Sequence, residues 1–142
     1  MLPIPIVKTL GRCSVLAMAT LGCRGGDELD RVMVSGNVSY NGQPVEKGQI
    51  RFIPTDGTQG PLTVDPIDDG YYTTENTGGV PVGTHRVEIL GYDGEEYANA
   101  PTGPGAPPVR QLLPKKYNKD SELKVTLQSG QDEDNLDYNL DP

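Results

Sequence analysis

The chain has 142 residues, enough for one domain with appendages, and its 18 Gly and 13 Pro argue for many turns and against long helices. A formal net charge of −8 argues against a nucleic-acid partner, because phosphate backbones are bound by neutralising them with Lys and Arg. No uncharged apolar run reaches 18 residues, which excludes a spanning helix of ordinary length.

The chain opens with "MLPIPIVKTLGRCSVLAMATLGC". Lys8 and Arg12 precede a short apolar stretch from Cys13 to Gly22. Basic residues, a short apolar run and small residues at its end describe an export signal. Two cleavage sites compete. "TLGC" fits a bacterial lipobox at Gly22 and Cys23, although Thr20 stands where an aliphatic residue is usual. "AMA", Ala17 to Ala19, fits the small-x-small rule of ordinary secretion, which would leave Cys23 as an exposed free thiol outside the cell. Cys23 is expected to be lipidated. Either cut removes Cys13, so no internal disulfide is expected. Residues 1–22 are expected to be a lipoprotein-type signal peptide, 23–31 a flexible polar tether, and 32–142 the folded domain.

From Val32 the pattern turns to period two, the signature of half-buried strands. "VMVSGNVSY" places Val32, Val34, Val38 and Tyr40 on one face. Asn41-Gly42 follows, a hairpin signal because both residues tolerate positive φ. "IRFIP" alternates Ile50 and Phe52 against Arg51 and Ile53, and "LTVDPI" is a weaker strand. Asp69-Gly70 reads as a turn into "YYT". "THRVEIL" aligns His85, Val87 and Ile89, "ELKVTLQ" aligns Leu123, Val125 and Leu127, and "LDYNL" aligns Leu136, Tyr138 and Leu140. About seven short strands without a convincing helix predict an antiparallel sandwich. One connection, residues 92–113, is long and rich in Pro and Gly, which predicts a mobile crossover without regular structure. Its functional alternative is a ligand-contacting loop at one end of the sandwich.

"VSGNVSYNGQPVEKGQIRFIP" resembles the opening of transthyretin-like, carboxypeptidase-regulatory-like domains, through Gly36, Val38, Gly42, Pro44 and Val45. "GGVPVGTHRVEILG" is similar to a later strand of that family, through Pro81, Gly83, His85 and Val87. "LLPKKYNKDSELKVTL" followed by "LDYNL" looks like the ending of short bacterial lipoproteins built from one such domain. The resemblance spans residues 32–140 and implies an all-β, antiparallel Greek-key β-sandwich of about seven strands, export, and lipid attachment. It implies no activity, because the fold hosts unrelated roles. The transthyretin-related hydroxyisourate hydrolase relies on several histidines, an arginine and a Tyr-Arg-Gly-Ser terminus; this chain has one His and ends "NLDP", which argues against that activity.

His85, the sole histidine, shares parity with Val87 and Ile89 and is expected to be a hydrogen-bonded imidazole in the core or at a sheet edge. Asp65, Asp68 and Asp69 form one acidic group, and Asp132, Glu133, Asp134 and Asp137 another. Neither has the spacing of a calcium loop, so they are read as turn chemistry and a solvated loop. Lys115, Lys116 and Lys119 surround Tyr117, whose ring is expected to pack on the sandwich end. No catalytic residue, no metal site and no cofactor is expected.

The expected function is that of a non-catalytic, lipid-anchored β-sandwich at the bacterial cell envelope, with a structural or adhesive role through envelope proteins or glycans. A secreted or periplasmic soluble protein is the alternative location. The alternative function is a carbohydrate- or small-ligand-binding module at the 92–113 loop end, with Tyr92, Tyr97 and Tyr117 as candidate contacts. Clustering of those three rings would favour it; scattering would remove its platform.

Overall fold

The computed structural model describes residues 28–142, so the leader, both cysteines and most of the expected tether lie outside the described residues. The fold is all-β, mostly antiparallel and sandwich-like. Seven strands form one curled sheet: β2 (Ser35–Tyr40), β4 (Lys47–Pro54), β5 (Thr63–Asp68), β6 (Tyr71–Thr73), β8 (Gly83–Tyr92), β9 (Lys124–Leu127) and β10 (Tyr138–Leu140). Three two-residue strands complete the set: β1 (Arg31–Val32), β3 (Gln43–Pro44) and β7 (Val80–Pro81). β3 pairs with β2, and β1 and β7 form a small second sheet. The main order is β10-β2-β6-β5-β4-β8-β9. Three successive strands, β4 to β6, therefore lie side by side, with the earlier β2 beside β6, which is a Greek-key arrangement.

The alternation of the sequence explains the layering. Ile50, Phe52, Ile67, Val87 and Ile89 point from adjacent strands into one core, joined by Val34, Val38 and Tyr72. Their partners in alternation, such as Arg51, Arg86 and Glu88, lie on the opposite face, where Glu88 pairs with both arginines. The longest ladder, β4 with β8, runs from Lys47 opposite Tyr92 to Pro54 opposite His85. Asn41 and Gly42 take φ of 50° and 77°, the primed turn that the Asn-Gly pair favours.

Four features depart from the sequence-based expectation. First, β10 runs parallel to β2 rather than antiparallel. The second acidic segment sets this up, and it is not simply solvated. Asp132 Oδ1 accepts from Met33 N at 2.8 Å and Asp137 Oδ1 accepts from Asn37 N at 2.7 Å. Between them Ser35 N donates to the Glu133 carbonyl at 2.8 Å. Two carboxylates and one carbonyl thus satisfy the edge of the β2 region before β10 joins it.

Second, the 92–113 connection contains regular structure. A short helix, α1 (Gly94–Ala98), starts there because Asp93 caps it, its side chain accepting from Glu96 N at 2.9 Å. Third, the connection is fastened to the sheet. Gln111 Oε1 accepts from Gly91 N at 2.8 Å and from Leu113 N at 3.0 Å, and Leu112 N donates to the Gly91 carbonyl at 2.9 Å. The Gln111 side-chain oxygen and this short backbone bridge, Gln111 opposite Tyr92, together dock the connection on the end of β8. Fourth, Asp30 and Arg31, expected at the end of the tether, are already paired. The Asp30 carbonyl accepts from Val82 N at 2.9 Å, and Arg31 lies opposite Pro81.

These pairings give the domain two distinct ends. The N-terminal end, with β1, sits at the start of β8. The other end holds Tyr92, the Asn41-Gly42 turn and the last residues of β10, since Asn41 N donates to the Leu140 carbonyl. Ten residues of β8 separate them, about 30 Å at roughly 3.3 Å per residue.

Candidate functional site

At the end away from β1 a cleft of about 250 Å³ opens. One wall comes from the β2–β3 hairpin, with Tyr40, Gln43 and Pro44. The opposite wall is the end of β8 and the start of the connection: Gly91, Tyr92 and Asp93. Leu112 and Leu113 close the cleft from the far end of the same connection, and Val45 and Glu46 complete it. The two ends of the 92–113 loop therefore meet at one site, because Gln111 ties them together. Gly91 is required here: a Cβ would stand 2.9 Å from Leu113 Cγ and 3.2 Å from Val45 Cγ1.

The polar groups of the cleft are mostly acidic. Glu46 Oε2 accepts from Gly94 N at 3.2 Å, and Asp93 is occupied by its cap to Glu96 N. The lining holds no Lys, Arg, His, Ser or Cys. Tyr92 stacks on Tyr97, with ring centroids 5.4 Å apart and planes 18° apart. Burial pushes the Tyr92 phenol above its ordinary pKa and Tyr97 adds to the rise, while the Arg51 charge opposes it. The volume is just under the ~300–1,000 Å³ of pockets for drug-sized ligands. It suits a single small ring, neutral or cationic; an anion would meet Glu46 and Asp93 with no counter-charge in the lining.

Of the three candidate tyrosines, the structure brings Tyr92 and Tyr97 together, and only Tyr92 lines the cleft. Tyr117 makes no ring–ring contact among the described residues. Its hydroxyl donates to the Asp141 carbonyl and accepts from Asp141 N, both at 2.9 Å, and Lys116 Nζ lies 5.0 Å from its ring centroid. It holds the C-terminal segment instead, so the three rings do not form the single platform expected, and the aromatic residues of the cleft are Tyr92 and Tyr40. Tyr40 and Glu46 were not singled out from the sequence. Tyr40's place on the inward face of β2 gave no sign that it ends at an opening.

The other candidate groups are committed to the fold. His85 is fully buried, and its Nε2 lies 2.7 Å from the Pro81 carbonyl, which makes Nε2 the donor. It packs edge-on against Phe52 at 6.5 Å. Asp68 pairs with Lys47, and Asp69 sits in its turn at φ 48°. Among the described residues no three His, Cys, Asp or Glu side chains gather in a way that could hold a metal ion. No helix among them is long and apolar enough to cross a membrane.

Asp65 departs from the turn-chemistry reading of its acidic group: it points inward and is fully buried. Its two oxygens lie 3.1 and 3.0 Å from Thr77 Oγ1, which is also 3.1 Å from the Thr74 carbonyl. A hydroxyl has one proton to give. With a proton on Asp65, the acid donates to Thr77 and Thr77 donates to Thr74, and both contacts are satisfied. Burial raises the Asp65 pKa and the Thr77 hydrogen bond opposes the rise. A carboxyl raised in the fold stabilises most below its unfolded pKa of about 3.9, and that contribution fades as pH rises through the folded value. Asp65→Asn keeps the hydrogen bond without the charge. It is expected to melt above wild type at pH 7, with the gap closing below about pH 4; thermal melts from pH 3 to 8 check this.

Comparison with known proteins returns no match: no family model, no curated protein and no solved structure.

Proposed function

We propose that this chain is an exported, lipid-anchored, non-catalytic module of the transthyretin-like type that binds at the bacterial cell envelope. The 92–113 end is its contact surface, and its ligand is carbohydrate or another small molecule. The observation that carries this reading is the cleft itself. Both ends of the long connection converge on it, with Tyr40 and Tyr92 as aromatic walls and two carboxylates as hydrogen-bond acceptors. Aromatic surface with a few placed polar groups is the usual make-up of a small-ligand site. The burial of His85 against Pro81, and of Asp65 against Thr77, favours binding over catalysis, since both groups are tied into the core.

Placement supports the envelope role. The described chain starts at the end remote from the cleft, so an anchor at Cys23 would leave the cleft at the free end, about 30 Å along β8. The structural or adhesive reading uses the same end and differs in needing no small ligand.

The two readings separate by titrating the full-length chain, carrying Cys23→Ser, with a panel of monosaccharides and following backbone amide shifts. The binding reading expects saturable shifts confined to Tyr40–Glu46, Gly91–Asp93 and Leu112–Leu113. It expects Tyr92→Ala to weaken them at least tenfold, as loss of one aromatic contact of about 1.4 kcal/mol would. Shifts elsewhere, or none, would leave the structural role alone.

A further inference from the structure

The charge of the cleft narrows its ligand beyond a neutral sugar. Glu46 and Asp93 stand on facing elements, one after the β2–β3 hairpin and one at the end of β8. Each uses one oxygen on a backbone amide, Gly94 N for Glu46 and Glu96 N for Asp93. The second oxygen of each has no hydrogen-bond partner among the described residues, and neither carboxylate takes part in an ion pair there. Gly94 is part of this arrangement: a Cβ at that position would stand 2.5 Å from Glu46 Oε2 and displace the carboxylate.

The nearby cations are already engaged. Lys47 pairs with Asp68, next along the sheet. Arg51, whose charge reaches Tyr92, is held on the open sheet face by Glu88 at 3.7 Å and Gln49 at 3.2 Å. Neither lines the cleft. Two exposed carboxylates therefore line an opening that also holds Tyr40 and Tyr92, with no cation in the lining beside them. A protonated amine satisfies both features at once. Its N–H groups donate to the carboxylates, and its charge is attracted to aromatic faces within about 6 Å. The formal net charge of −8 would draw such a ligand toward the surface.

We propose that the cleft takes a small ligand bearing a primary ammonium group, with Glu46 and Asp93 as its acceptors and Tyr40 and Tyr92 as its walls. The proposal rests on the cleft being a binding site and names the chemistry it selects.

D-Glucosamine and D-glucose test it, because they share a ring and differ in one ammonium group. The full-length chain with Cys23→Ser is titrated with each, and amide shifts are followed. Glucosamine is expected to bind at least tenfold more tightly than glucose, with shifts at Tyr40, Glu46, Gly91 and Asp93, and to weaken as salt is raised. The double variant Glu46→Gln, Asp93→Asn keeps a side-chain oxygen to accept from Gly94 N and from Glu96 N and so keeps the loop in place. It is expected to bring glucosamine down to the level of glucose. Equal binding of the two sugars in the cleft, or a double variant that still prefers glucosamine, would overturn the ammonium assignment and leave the binding reading standing. Cleft shifts with neither sugar, nor with the wider monosaccharide panel, would overturn both.

Discussion

Phe52→Ala is expected to cost about 3–5 kcal/mol, the range for removing a large aromatic side chain from a closed core. Phe52 is fully buried in β4, between Thr63 of β5 and Val87 of β8 by register. Its ring lies 6.2 Å from Tyr72 and 6.5 Å from His85, so it is shared by the sheet's centre and by the imidazole. It is the one Phe in a chain without Trp, and nothing of similar bulk stands ready to fill the gap. For a domain of this size about 4 °C of melting temperature goes with each kcal/mol, so a fall of roughly 12–20 °C is expected. Denaturant and thermal unfolding of the full chain measure it. Phe52→Leu, which keeps most of the volume, should cost no more than about half as much.

Gly36→Ala is the second large effect, and its origin is steric. A Cβ on Gly36 would stand 2.2 Å from the Leu136 carbonyl oxygen and 2.6 Å from its carbon. The obstacle is backbone, so β10 and the segment before it must move. That segment is held by Leu136 N on the Ser35 carbonyl at 3.0 Å and by the Tyr72 hydroxyl on the Leu136 carbonyl at 2.7 Å. Displacing it strains these contacts together, and a loss of about 2–3 kcal/mol is expected from overpacking of this kind. Gly42→Ala is the control. It meets open space but must adopt φ +77°, and it should cost roughly 1 kcal/mol from backbone strain alone. If the two variants melted alike, the close approach of β10 to β2 would be wrong.

The strands were legible because their alternation is strict and their turns carry Gly at positive φ. Ile50 and Phe52 alternate with Arg51 and Ile53, and the pleat can place them in only one way. The same parity puts His85 in the core with Val87 and Ile89. Asp65 obeys it too, between Thr63 and Ile67, and its inward position could have been read from that spacing. What had no local pattern was longer-range. Nothing in "QDEDNLD" announces that Asp132 and Asp137 accept from backbone amides about 100 positions earlier. Nothing in "PPVRQLLP" announces that Gln111 docks the connection on the end of β8. The cleft is hidden for the same reason. Tyr40 and Glu46 flank one hairpin, and they meet Tyr92 and Leu112 through the β4–β8 register, the Gln111 side chain and the Leu112 N bond to Gly91. The capping of α1 was in reach, since Asp93 stands three residues before Glu96, but Pro and Gly nearby masked the signal.

As proposed, this sandwich is held at a membrane through Cys23, with its cleft at the free end. Mass spectrometry of the mature N-terminal fragment tests it most directly, comparing the chain with Cys23→Ser. A fatty-acylated fragment beginning at Cys23, absent from the variant, is the result expected. An unmodified fragment beginning at Thr20, or a chain still carrying its first 22 residues, would contradict it.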